Sequence, residues 1–183
     1  MIEPSLYKEV MASFPSGVTV VTALDAEGGI VGLTASAFSA LSLDPALVLF
    51  CPRYSSDTYP VLRASKRFAI HLLSGPQQAH AYAFASKGKD KAKAIEWTLS
   101  EQGNPLLEGA TAIIECELWR EYEGGDHAIV VGKVTNVFNI SLNFSATIYI
   151  FQLFFDFVRA LLEWSVTRTW RECYVDPGDQ FFA

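Results

Sequence analysis

Short runs of apolar and β-branched residues, closed by Gly, Pro or Asp, set the pattern of this chain. Val18-Thr19-Val20-Val21-Thr22-Ala23 alternates β-branched side chains, and Asp25-Ala26-Glu27-Gly28-Gly29 supplies a turn before Ile30-Val31, so a hairpin is predicted. Residues 46–51, 68–73, 112–119 and 128–137 read as further strands, the last two joined through Glu123-Gly124-Gly125-Asp126. Helical spacing runs over 5–14, where Leu6, Val10, Met11 and Phe14 follow Pro4-Ser5, until Pro15-Ser16-Gly17 breaks it. Two more helices are predicted over 56–65 and 76–85, followed by a polar loop over 86–91. Their sum is a mainly β fold, a barrel with a few peripheral helices.

The pattern changes near residue 138. Of 24 aromatic residues, 12 lie between Phe138 and Phe182, which divides the chain into 1–137 and an aromatic-rich segment over 138–183. Within it Gln152, Asp156, Arg159 and Glu163 fall on one narrow helical face. Pairs along that face add roughly 0.2–0.5 kcal/mol each. Thr147-Ile148-Tyr149-Ile150-Phe151 keeps a strand running into a helix as the competing reading. Asp156 and Arg159 interrupt the run, and it falls short of about 20 uninterrupted apolar residues, so burial against the barrel or a second subunit is expected rather than a membrane span.

With 183 residues, half of them apolar and 19% charged, the chain can build a substantial core. A net charge of −6 argues against nucleic acid as a main partner, because phosphate binding needs a cationic surface. Cys51, Cys116 and Cys173 have no paired spacing, and Met1-Ile2-Glu3-Pro4-Ser5 lacks the form of a secretion signal; the cytoplasm is the expected compartment. Three scattered His and three scattered Cys give no metal-ligand spacing. No GxGxxG follows a strand, so a Rossmann fold is not supported.

Candidate chemistry concentrates between Gly32 and Thr58. Gly32-Leu33-Thr34-Ala35-Ser36-Ala37-Phe38 is rich in small residues, which let a planar ligand approach the backbone closely. The predicted strand over 46–51 then opens onto Pro52-Arg53-Tyr54-Ser55-Ser56-Asp57-Thr58, a hydroxyl cluster at a strand-to-helix turn, where side chains and amides can hold a phosphate. That order of parts suits a flavin mononucleotide. Among the histidines, His127 follows a Gly-Gly-Asp turn and opens a strand, so its ring can project from a barrel rim; a plain strand-end histidine is the structural alternative. His71 alternates within an apolar strand, as a hydrogen-bonded core histidine would.

Five ordered segments within about residues 5–137 resemble the flavin reductase family, the NAD(P)H:flavin oxidoreductases built on the FMN-binding split barrel. They are Phe14-Pro15-Ser16-Gly17-Val18-Thr19, the stretch over 32–45, Asn104-Pro105-Leu106-Leu107-Glu108-Gly109, Glu115-Cys116-Glu117-Leu118, and Gly125-Asp126-His127 with Gly132-Lys133-Val134. The resemblance implies that Thr34, Ala35, Ser36 and Ala37 line the isoalloxazine. It further implies that Phe50, Cys51 and Pro52 flank the ribityl chain, and that Ser55, Ser56 and Thr58 hold the phosphate. An ordinary helix N-cap is the alternative for that trio. By the same resemblance Phe84 forms a second wall and a lysine lies near the phosphates, Lys89 being chosen over Lys87 and Lys91, with a solvated loop as the alternative. His71 borders the flavin as the alternative to a core role, and Asp126 and His127 meet the nicotinamide, His127 as the catalytic residue.

Hydride transfer from NADH or NADPH to bound FMN or FAD is the implied reaction, with a homodimer and a flavin-dependent monooxygenase as partners. The family's usual last strand, of the form Pro-Leu-Leu-Tyr followed by Gly-Arg-Tyr, has no counterpart after Val137. A flavin-binding electron carrier, or a degenerate flavin-binding module without NADH turnover, therefore stands as the alternative. Pyridoxamine-phosphate oxidase-like proteins fit the same segments less well.

Overall fold

The computed structural model describes residues 2–14, 16–88 and 92–139. Lys89 and almost all of the segment over 138–183 lie outside the described residues. After α1 (Pro4–Ala12) come four strands, β1 (Thr19–Leu24), β2 (Ile30–Ala35), β3 (Phe38–Leu43) and β4 (Ala46–Phe50). Helix α2 (Thr58–Ser65), strand β5 (Arg67–Leu72) and helix α3 (Gln78–Ala85) follow, α3 entered through a 3₁₀ turn at Gly75–Gln77. A short pair, β6 (Trp97–Leu99) and β7 (Pro105–Leu107), precedes the long hairpin of β8 (Ala112–Gly124) and β9 (His127–Asn139).

Seven strands form one antiparallel sheet in the order β2-β1-β5-β8-β9-β4-β3. Its two edges, β2 and β3, are consecutive in sequence, yet no ladder joins them; Ser36 and Ala37 alone connect them. The barrel is therefore open at that seam. Period-two alternation decides what faces inward. Val21 and Ala23, Leu33 and Ala35, Val48 and Phe50, Phe68 and Ile70, and Ala128 and Val130 meet in one buried cluster, closed by Tyr59 and Leu62 of α2. Phe50 and Phe68 stand edge to face inside it, ring centroids 5.4 Å apart. The opposite face of β1 carries Val20, with Val18 just ahead of the strand, into a second cluster with Leu73, Phe84 and Leu107.

The hairpin of β8 and β9 serves two neighbours. Residues 112–117 pair with β5, while 130–133 pair with β4. Register shifts at Glu115/Cys116 and Leu118/Arg120 bend the long ribbon between those two tasks. At the crossing only glycine fits: a Cβ on Gly132 would stand 2.6 Å from Phe68 Cζ and 3.0 Å from Cys116 Cβ.

Two buried polar groups fasten the outer face. His71, fully buried, has Nδ1 3.1 Å from the Val20 carbonyl, and its Nε2 accepts the Leu107 amide at 3.1 Å. That acceptor role assigns the proton to Nδ1, and burial pushes the imidazole down to about 4. The Glu115 carboxylate accepts from Asn104 Nδ2 at 2.8 Å, Asn136 Nδ2 at 3.1 Å and the Ser100 hydroxyl, pinning the 100–104 turn.

Within the described residues the predicted helices and strands are present; the short β6–β7 pair is not among those predicted, and the helix or strand expected within 138–183 lies outside the described residues. Phe38–Leu43, read as part of a ligand cradle, is a strand in its own right; its Ser and Ala residues mask the β pattern, and pairing with β4 supplies the missing preference. The strands predicted over 112–119 and 128–137 extend to Gly124 and back to His127, since each completes the other's ladder. Among the described residues no helix is long and apolar enough to cross a membrane.

Candidate functional site

Hydrogen bonds gather the small-residue and hydroxyl segments at one end of the seam. The Cys51 amide donates to the Ala37 carbonyl at 3.1 Å, tying the β4 exit to the β2–β3 link. Next, the Ala128 amide donates to Pro52 O at 2.9 Å and the Tyr54 amide to Asp126 O at 3.1 Å, with Arg53 and His127 forming an isolated bridge. These contacts hold the β8–β9 turn against the β4 exit. The loop then tightens, Ser56 N–H donating to Arg53 O at 3.0 Å, before Thr58 Oγ1 donates to the Gly32 carbonyl at 2.7 Å and returns the chain to β2.

Not every residue in this ring offers a surface. Ser36, Cys51 and Ser56 are half-buried, and Ala37, Arg53, Tyr54 and Ser55 are exposed. Ser36 and Ala37 lie outside both ladders, and among the described residues their amides donate to no main-chain carbonyl. Two such donors beside a gap in a sheet suit the polar edge of a planar ring. At the other end, Asp57 caps α2 without a side-chain hydrogen bond and the Thr58 amide donates to Ser56 Oγ at 3.3 Å, so the donors that follow it in the first turn are left to another acceptor. With Ser55 and Ser56 beside it, that terminus fits a phosphate.

Other expected contacts take a different form. Phe50 is fully buried in the barrel, so its ring has no face for a ribityl chain. Phe84 is 1% exposed in the second cluster, packed so closely on β2 that a Cβ on Gly32 would stand 2.7 Å from its ring. It is a core residue, not an open second wall. The hydroxyl protons of Thr34 and Thr58 are given to Ala81 O and Gly32 O, both at 2.7 Å, so neither is left to donate to a ligand. Ala35 is buried on the barrel side, and Pro52 is buried at the β4 exit.

Asp126 and His127 stand at the turn that closes the ring. His127 Nδ1 lies 2.7 Å from Asp126 Oδ1, and that hydrogen bond, with a lesser contribution from the Arg53 charge, lowers the carboxyl from its ordinary value. The carboxylate accepts, which leaves Nε2 as the second polar atom of the ring. Cys51 is no nucleophile here: partial burial pushes its thiol up, away from the thiolate. Among the described residues no cluster of His, Cys, Asp and Glu is arranged to hold a metal.

Sequence reasoning assigned no part to Arg53 and Tyr54, although both project at the β4 exit. Tyr54 is 46% exposed, its ring edge-on to Tyr59 at 5.8 Å. The signal available in the sequence was their position between a buried strand and a hydroxyl cluster.

An open antiparallel barrel with amide donors at its seam is a split barrel. The sequence model described as "Flavin reductase like domain" matches residues 11–155, and the chain belongs to that family. It is 38% identical over 133 residues to a flavin reductase from Pseudomonas putida, covering 73% of this chain and 78% of that protein. Identity is also 38% over 139 residues to a flavin-dependent monooxygenase reductase subunit from Rhodococcus jostii, covering 76% of this chain and 71% of that protein. Among solved structures, an NADH:FAD oxidoreductase from Streptomyces globisporus superposes with a TM-score of 0.70 at 37% identity, covering 76% of this chain and 86% of that one.

Proposed function

We propose that this protein is an NAD(P)H:flavin oxidoreductase that binds FMN or FAD across the seam and supplies reduced flavin to a partner monooxygenase. The observation that carries the reading is the ring of hydrogen bonds joining Ala37, Cys51, Pro52, Tyr54, Asp126 and Thr58 around accessible amides and hydroxyls. Family membership and relatives that are themselves named flavin reductase, monooxygenase reductase subunit and NADH:FAD oxidoreductase support it.

Each part has a physical task. Ser36 and Ala37 amides meet the polar edge of the ring system, and half-buried Cys51 borders the chain leading from it. Ser55, Ser56 and the α2 terminus neutralise the phosphate. His127, fixed by Asp126, holds the nicotinamide side, and Lys89 remains a proposed phosphate contact. When bound, flavin supplies the hydride-accepting chemistry itself, so the protein needs placement rather than a strong acid–base pair. Holding the two rings within about 3–3.5 Å is worth several kcal/mol through proximity.

We further propose a homodimer working in the cytoplasm. Helix α1 has no buried side chain, and Leu6, Val10 and Phe14 are 56%, 60% and 68% exposed. A helix of this length is marginal alone in water, and a second subunit would cover it.

Titration of flavin fluorescence with the protein, followed by NADH oxidation with excess flavin, tests the assignment. Quenching with a Kd at or below about 10 μM, with turnover, is expected. His127→Ala should lower kcat/KM for NADH and leave flavin affinity nearly unchanged. Flavin binding without NADH oxidation would favour the electron-carrier reading, and no quenching would overturn both.

A further inference from the structure

Beyond the phosphate end of the site, the surface continues in Arg53 and Tyr54. We propose that these two residues form a subsite for an adenylate, which makes FAD rather than FMN the preferred flavin. The inference rests on the proposed placement of the flavin phosphate at Ser55, Ser56 and the start of α2.

Three observations carry it. Arg53 is exposed and, among the described residues, forms no salt bridge, although its charge reaches Asp126; its backbone is bridged to His127. A fixed main chain with an exposed guanidinium offers the planar fork that suits a second phosphate. Tyr54 follows it, and its exposed ring is held from two sides. Its amide donates to Asp126 O at 3.1 Å, and its ring meets Tyr59, in the first turn of α2, edge to face at 5.8 Å. Tyr59 is itself anchored, its hydroxyl donating to Glu121 Oε1 at 2.7 Å with Arg63 over the ring at 5.7 Å. An exposed aromatic held in place beside a phosphate site is a platform on which a base stacks.

An adenylate also occurs in NADH. The subsite is assigned to FAD because Arg53 and Tyr54 immediately precede Ser55 on the loop that carries the proposed phosphate contacts.

The test is fluorescence titration of FMN and FAD, with KM for NADH at saturating flavin. Wild-type protein, Arg53→Gln, Tyr54→Leu, Tyr54→Phe and the Ser55→Ala/Ser56→Ala double variant are compared. Wild type should bind FAD about tenfold or more tightly than FMN, the range one stacked base supplies. Arg53→Gln and Tyr54→Leu should each remove most of that ratio by weakening FAD alone, and Tyr54→Phe should keep it. Equal affinity for FMN and FAD in the wild type overturns the proposal. Loss of both flavins together in Arg53→Gln, or a raised KM for NADH with the flavin ratio intact, does so too. The double serine variant separates the underlying reading: it should weaken FMN and FAD alike, and no change in either would refute the phosphate site itself.

Discussion

His71 shows how a single buried side chain makes stability depend on pH. Its ordinary value of 6.5 falls to about 4 in the fold because burial penalises the charged ring. Above 6.5 both folded and unfolded chains carry the neutral ring, and its contribution is fully present. As pH falls from 6.5 toward 4 the unfolded chain takes up a proton that the folded chain refuses, so stability declines, by on the order of 3 kcal/mol over that window. Urea midpoints measured across it should fall with pH. In His71→Leu the slope should flatten, with lower stability above pH 6.5 and a difference that shrinks toward pH 4, because the Val20 carbonyl and Leu107 amide lose their buried partner. An unchanged slope would mean that another group governs acid sensitivity. The alternation in Phe68-Ala69-Ile70-His71 already placed this histidine on a strand; its two partners come from β1 and β7 and are invisible locally.

At the scale of elements, the long β8–β9 hairpin is the part on which the site depends, because its turn carries Asp126 and His127 while its middle crosses the barrel. That crossing leaves no room at Gly132, where an added methyl meets Phe68 and Cys116. Gly132→Ala should cost about 1–3 kcal/mol by overpacking. Gly17→Ala, with nothing within 4 Å of its new Cβ, should stay within about 0.5 kcal/mol of wild type. Thermal or denaturant unfolding of the two variants makes the comparison, and a harmless Gly132→Ala would show that the hairpin can shift outward. A shift of that kind should also disturb the Tyr54–Asp126 and Pro52–Ala128 bonds, coupling stability to flavin affinity.

For the whole molecule, the apolar surface of α1 and of the β3–β4 edge sets the expectation. Leu41 and Leu43 are 50% and 90% exposed on the edge strand β3, in addition to the uncovered face of α1. An unprotected edge with apolar side chains invites association. Sedimentation at low micromolar concentration should therefore give twice the 20.2 kDa chain mass. A clean monomer would remove the homodimer.

Local sequence determined most of the strands and helices, because alternation of β-branched residues and turn punctuation act over a few residues, whereas β3, β6 and β7 depend on the strands they pair with. It also marked the small-residue stretch and the hydroxyl cluster as unusual, and their order carried the family resemblance. Tertiary structure decided which members of those segments remain available. Thr34 and Thr58 give their protons to the carbonyls of Ala81 and Gly32, which lie 47 and 26 residues away in the chain. Phe50 and Phe84 turn inward because the barrel and the α3 layer need their volume. Arg53 and Tyr54 stay outside, bound by their backbones to a turn more than seventy residues later. Partners that distant are chosen by how the sheet curls, and no local pattern records the curl.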